Sequence, residues 1–307
     1  MTATPKPGWR PQREVELLAG TPPGGGQDRA ARALATAFDE ALGISVAVAN
    51  APGLGGANAW ARLADRTGDG HSLAISSPTL ITNWLTGVAA TGSDAVTQIG
   101  LLCTEYIVFA VPAGSQPATA EDLIDLLSAP ERPDVSLATA RGNVNHIALA
   151  YLCRHAGTEP QTVNVRVFDS ARHAIADVLD RDRGVVAVSA ASVLPEIGAG
   201  TLRVLAVSAP MRLGDPFAAV PTWSELGVDC TIGTWRGLVG PPALAPATLA
   251  FWDEGTKAAA QGAAWHAALS RHMWSDTYLD ATAASQFMNE EENRMRLALG
   301  ELDLLDG

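Results

Sequence analysis

The stretch TPPGGGQDRAARAL, residues 21–34, runs three glycines behind two prolines and then turns into a helix-like pattern. VELLA before it reads as a buried strand, and behind it Leu34, Phe38 and Leu42 recur every four residues on one helix face that Gly43 closes. Strand, glycine loop and helix in that order open an α/β fold. No Gly-Lys-Ser/Thr follows the glycines, and Arg29 stands where a G-x-G-x-x-G loop needs its third glycine, so the residues argue against nucleotide phosphate. Glycines between a strand and a helix still leave backbone N–H groups at a helix N-terminus, where the dipole favours an anion, and a carboxylate fits without a lysine. For an isolated loop, a tight turn holding nothing is the alternative.

The loop is not isolated. ISVAVAN, the glycine loop APGLGG, the helical ANAWARLADR and the strand SLAISS repeat the alternation, and short connections between them predict a parallel sheet covered by helices. A second α/β unit starts after YIVFAV. TAEDLIDLL opens with Thr119 and Asp122 at capping-box spacing, followed by the strand VSLA, the loop TARGNVN and a helix from His146. NVRVF, SARHAIADVLD, VVAVSA and RVLAVS continue the pattern, then IGTWRGLVG, and helical segments fill the rest. In open α/β sheets ligands sit beyond the carboxyl ends of the strands, so the glycine loops of two domains can face one cleft.

Composition narrows the function. With 307 residues and 47% hydrophobic content the chain supports a large core, and length favours two domains or one large one. A net charge of -12 without a basic run argues against nucleic acid or an anionic membrane as partner. Cys103, Cys153 and Cys230 lie in apolar segments without metal-ligand or C-x-x-C spacing and read as buried thiols. The N-terminal MTATPKPGWRPQRE lacks an apolar stretch of signal-peptide length, which reads as cytoplasmic as written, or periplasmic if a leader has been removed. IGLLCTEYIVFAVPA is interrupted by Thr104 and Glu105, so no membrane-spanning helix is expected.

PPGGGQD, NAPGLGG, GDGHSLAISS, GNVNH and AVPTWSELGV, with IGAGTLRVLAVSAPMR and TWRGLVGPPALAP, form an ordered set over nearly the whole chain. The set resembles the Bug-type substrate-binding proteins of tripartite tricarboxylate transporters. The resemblance implies a two-domain, periplasmic-binding-protein-like fold of type II with mixed, mostly parallel sheets flanked by helices. Residues 1–108 and 231–307 would form one domain and 109–230 the other, with the ligand cleft between them. It implies no cofactor, a small-molecule carboxylate as ligand, and a membrane transporter or sensor protein as partner. The first domain would supply Thr21, Gly24, Gly25, Gly26, Asp28, Ser76, Ser77 and Thr79 to the site. The second would supply Arg141, Gly142, Asn143, His146, Phe168, Asp169 and Ser170.

This chain departs from the family pattern at Gly20 and Thr21, at Ala51, and at Phe168 to Ser170, where a tyrosine-lysine-glycine segment is usual. Arg141 reads equally as a carboxylate partner or a solvated loop arginine. His146 reads as a ligand donor or as a histidine closing its loop, and Asp28 more as an organiser of its loop than as a ligand contact. Asp169 would repel an anion unless it points away or meets an amine or hydroxyl. Trp60, Trp84, Trp223 and Trp235 wall a cleft or pack in the core. An enzyme using Asp28, Arg141, His146 and Asp169 on a small carboxylate is the rival to a receptor, although no G-x-S-x-G or H-E-x-x-H motif is present.

Overall fold

The computed structural model describes residues 8–138 and 140–305, so Thr139 and the first seven residues of the stretch read for a leader lie outside it. In chain order the first elements are β1 Val15–Ala19, α1 Gly26–Leu42, β2 Val46–Asn50, α2 Ala57–Ala64, β3 Ser72–Ser76, α3 Thr79–Leu85 and β4 Thr97–Pro112. Next come α4 Ala120–Ser128, β5 Val135–Ala138, α5 Val144–His155, β6 Val165–Phe168, α6 Ala171–Arg181, β7 Val185–Ser189, α7 Leu194–Gly198 and β8 Leu202–Val207. The chain ends with β9 Gly233–Gly240, α8 Pro246–Ala260, α9 Ala263–His272, β10 Ser275–Leu279 and α10 Ala281–Glu301. Two compact units result, Met1–Thr104 with Trp235–Asn293, and Glu105–Thr234 with Arg294–Gly307.

In the first unit β2, β1 and β3 run parallel, Ala19 beside Asn50 and Leu18 beside Ala74, and β9 lies antiparallel to β3 with Gly237 opposite Ser76. The first half of β4 pairs antiparallel with β10. In the second unit β6, β5 and β7 are parallel, and the second half of β4 runs antiparallel between β7 and β8. Both sheets are mixed and flanked by helices: each has a parallel trio, as the strand and helix alternation predicts, joined to antiparallel strands. Parallel strands buried on both faces need near-continuous apolar runs, which VELLA, SLAIS and VVAVS supply.

Helix α1 is held by its apolar stripe. Leu34, Ala37 and Phe38 are buried against Trp252 of α8 and Trp265 of α9, and the Phe38 and Trp252 ring centroids stand 5.4 Å apart. Gly43 ends the helix in the left-handed conformation at φ 64°, with its N–H on the Asp39 carbonyl. In the second unit the capping box at the start of α4 is complete, since Thr119 Oγ1 accepts the Asp122 N–H and the Asp122 carboxylate accepts the Thr119 N–H.

Sequence and structure differ at five places. The interrupted apolar stretch is the core of one 16-residue strand, β4, in which Thr104 and Glu105 are buried rather than marking a break. Helix α5 starts at Val144, with Asn143 as its cap, two residues before the expected His146. Helix α3 and strand β10 were not expected. The tail from Arg294 belongs to the second unit, where the Arg154 guanidinium meets the Glu301 carboxylate, whereas the sequence reading grouped it with the first.

Trp252 is fully buried, and its Nε1–H donates to the Gly70 carbonyl at 2.9 Å. Trp252→Ala is expected to lower stability by about 3–5 kcal/mol, read as the urea midpoint of the first unit's transition. An unchanged midpoint would contradict this packing.

Candidate functional site

The carboxyl ends of β1, β2 and β3 bring three loops of the first unit together. Their approach is close enough that a Cβ at Gly20 would lie 2.4 Å from the Gly56 Cα. Gln27, in the first turn of α1 and 2% exposed, joins all three: its Oε1 accepts the Gly20 N–H at 2.9 Å, and its Nε2 donates to the Gly55 carbonyl at 3.1 Å and to Ser77 Oγ at 3.2 Å. Thr79 Oγ1 completes the set, 2.9 Å from Ser77 Oγ and donating to the Gly55 carbonyl at 2.7 Å.

Within the loop before α1, the Gly25 N–H goes to the Pro22 carbonyl, the Gly24 N–H to Asp28 and the Asp28 N–H to Thr21 Oγ1. The N–H groups of Gly26 and Gln27 have no acceptor among the described residues, and Gly25 at the cap position offers no side chain. They are the orphan donors of a 17-residue helix, at its positive end. Gly25 is glycine for lack of room, since a Cβ there would stand 2.5 Å from Thr21 Oγ1. At Gly26 a Cβ would stand 2.4 Å from Nη2 of Arg236, so the 7%-exposed guanidinium of β9 lies directly against the helix start. A guanidinium beside the positive pole of a helix adds to the positive potential at that point, where an anion is favoured.

Asp28 organises this loop. It is 2% exposed, and its carboxylate accepts from the Gly24 N–H at 2.8 Å, Asn50 Nδ2 at 2.8 Å and Arg32 Nε at 3.0 Å. Burial works to raise its pKa, but the hydrogen bonds from Arg32, Asn50 and Gly24 together with the Arg32 charge outweigh that and hold it below the ordinary carboxylate value. Ser76 is placed apart from its neighbours: its buried Oγ has no partner among the described residues and faces Gly237, where a Cβ would lie 2.6 Å away.

In the second unit the loops after β5 and β6 are neighbours because Ala138 pairs with Phe168. Asn143 caps α5, its Oδ1 accepting the His146 N–H, while Nδ2 donates to the Ala138 carbonyl. The His146 ring, 3% exposed, accepts the Gly142 N–H on Nδ1 at 3.0 Å, which places the ring proton of the neutral imidazole on Nε2. Burial first, and the Arg141 charge second, push its pKa down to about 4. Val144 and Asn145 keep N–H groups without an acceptor among the described residues.

Arg141 donates from Nη2 to the Val165 carbonyl at 3.2 Å, so its side chain turns back along the edge strand β6. Asp169 is exposed and pairs with His173 one helical turn on, while Ser170 caps α6 through the His173 N–H. Trp60, Trp223 and Trp235 are buried core residues, and Trp84 is half-buried. Arg236 is the residue that sequence reasoning missed as a site candidate. TWRGLVG marked its strand, but no local spacing signals that its side chain reaches Gly26.

Two titrations check this geometry. Because the folded-state pKa of Asp28 is depressed, its contribution is present above the unfolded value of about 3.9 and is lost as pH falls through the folded one. Asp28→Ala is therefore expected to cost about 1–3 kcal/mol at pH 7, the gap from wild type closing below pH 4 in denaturant titrations. For His146, depressed from 6.5 to about 4, folding favours the neutral ring, so stability is full above the unfolded value and declines as pH falls from there to about 4. Its imidazole C–H resonances should titrate near 4, and a midpoint near 6.5 would rule out the buried Gly142 bond.

Residues 30–304 match the family model described as tripartite tricarboxylate transporter family receptor. Protein BugT of Bordetella pertussis is 29% identical over 251 residues, covering 77% of this chain and 73% of that one. A TctC solute-binding protein from Polaromonas, solved without ligand, superposes with TM-score 0.79 at 26% identity, covering 95% of this chain and 99% of that one. Two structures from Rhodopseudomonas palustris share the fold: MatC with bound malate, TM-score 0.73 at 19% identity over 94% of this chain and all of that one, and a protein with adipate, TM-score 0.79 at 20% identity over 95% and 97%. These neighbours carry the periplasmic-binding-protein fold, and this chain shares it. The chain belongs to the family of tripartite tricarboxylate transporter receptors.

Proposed function

We propose that this receptor captures a small organic acid by seating one carboxylate on the N–H groups of Gly26 and Gln27, with the Arg236 guanidinium alongside. The observation that carries the reading is the pair of unclaimed amides at the start of α1 with a buried cation against them. Backbone donors fixed by Gln27 and Asp28 need no reorganisation on binding, so little affinity is lost to ordering the loop. Ser77 and Thr79, already bonded to Gln27 and Gly55, hold the loop edge rather than waiting for ligand. In the second unit, the α5 N-terminus around Asn143 and Gly142 offers a further set of N–H donors.

The malate and adipate held by two fold neighbours belong to the same chemical class. In this reading the protein works in the periplasm and passes its solute to a membrane transporter. No helix among the described residues is long and apolar enough to cross a membrane itself.

Calorimetry with malate and adipate as probes tests the proposal. At least one is expected to bind and to be recovered unaltered. Gly26→Ala, which drives a methyl into the Arg236 guanidinium, and Arg236→Gln should each weaken binding at least about tenfold, roughly 1.4 kcal/mol, with the thermal midpoint of Gly26→Ala close to wild type. Undiminished affinity in both variants would reject the site.

A further inference from the structure

Residues 53–56 form a run of four left-handed or otherwise positive backbone angles: φ is 133° at Gly53, 45° at Leu54, 63° at Gly55 and 117° at Gly56. Three of the four are glycine, which takes such angles freely, whereas a leucine there is strained by its Cβ. The conformation is imposed from all sides. Asn83 Nδ2 donates to the Leu54 carbonyl at 2.6 Å, Thr79 and Gln27 both donate to the Gly55 carbonyl, and Asn58 Nδ2 donates to the Pro52 carbonyl at 2.9 Å. Leu54 is nonetheless 59% exposed, so its side chain is not repaid by packing. A strained apolar residue in an over-determined loop, serving no core, points to a use on its exposed side.

Its position supplies the use. Leu54 adjoins Gly55, whose carbonyl is bonded to the side chain of Gln27, and the N–H of Gln27 is one of the two unclaimed donors. Resting on the carboxylate reading above, we infer that Leu54 is a specificity-determining residue that packs against the hydrocarbon part of the ligand. The substrate class is then an acid carrying a methylene chain or ring beside its carboxylate, in preference to a densely hydroxylated one. Glycine or asparagine at position 54 would relieve the backbone and serve as well for a short acid; leucine adds only an apolar wall.

The test compares wild type, Leu54→Gly and Leu54→Asn by calorimetry with the straight-chain dicarboxylates from succinate to suberate, and with tartrate. Wild-type affinity is expected to rise about fourfold per added methylene over the part of the chain that meets Leu54, and tartrate to bind more weakly than adipate. In both variants the rise should fall to about twofold or less per methylene, with succinate affinity held within about threefold. A thermal midpoint of Leu54→Gly at or above wild type establishes that the variant is folded. Equal slopes in all three proteins, or a wild-type affinity that does not rise with length, overturn the role of Leu54 and leave the carboxylate site standing. Failure of every acid to bind the wild type overturns both.

Discussion

The side-chain amide of Gln27 is the constraint from which the rest of the first unit's site follows. One buried group, through three hydrogen bonds, satisfies a donor on the loop after β1, an acceptor on the loop after β2 and a hydroxyl after β3. Its loss would leave the buried Gly20 N–H unpaired, at about 1–3 kcal/mol, while the Gly55 carbonyl and Ser77 Oγ would keep Thr79 as partner. Because Gln27 sits in the first turn of α1, the residue that registers the loops also contributes one of the free N–H groups. The aim of those donors is thereby set by the sheet, and the glycines at 25 and 26 are required by how closely Thr21 and Arg236 crowd the turn.

The second unit reaches a similar result by other means. There a histidine rather than a glutamine folds back on its loop, and its imidazole works as a neutral acceptor for a backbone N–H. Such a ring cannot be charged without losing that bond, so burial and the nearby Arg141 act in the same direction. Arg141, Asp169 and Asp28 all have partners within their own unit. Main-chain N–H groups and the Arg236 guanidinium stand at the start of α1.

What was legible in the sequence is what depends on near neighbours. The strand before the first glycines, the periodic stripe of α1, its terminating glycine and the capping box of α4 are all decided within a few residues. Short segments with mixed signals escaped notice: TLITNWL carries β-branched residues yet forms α3, and SDTYL is too polar to announce an edge strand between two helices. The full length of β4 was hidden because Thr104 and Glu105 resemble a break, whereas the strand runs on from its pairing with β10 at Thr104 to its pairing with β7 from Ile107. Arg236 could not be read at all as a site residue, because its proximity to Gly26 comes from placing β9 beside β3.

Burial of the three cysteines bears on how the chain meets oxidants. All are buried and unlinked, and burial pushes the Cys153 thiol up to about 12 and the Cys230 thiol upward as well. Thiol–disulfide exchange needs a thiolate that a partner sulfur can reach, and for these two both conditions are withheld. At Cys153 and Cys230 the folded chain therefore resists mixed disulfides with glutathione or with another protein's thiols, under reducing and oxidising conditions alike.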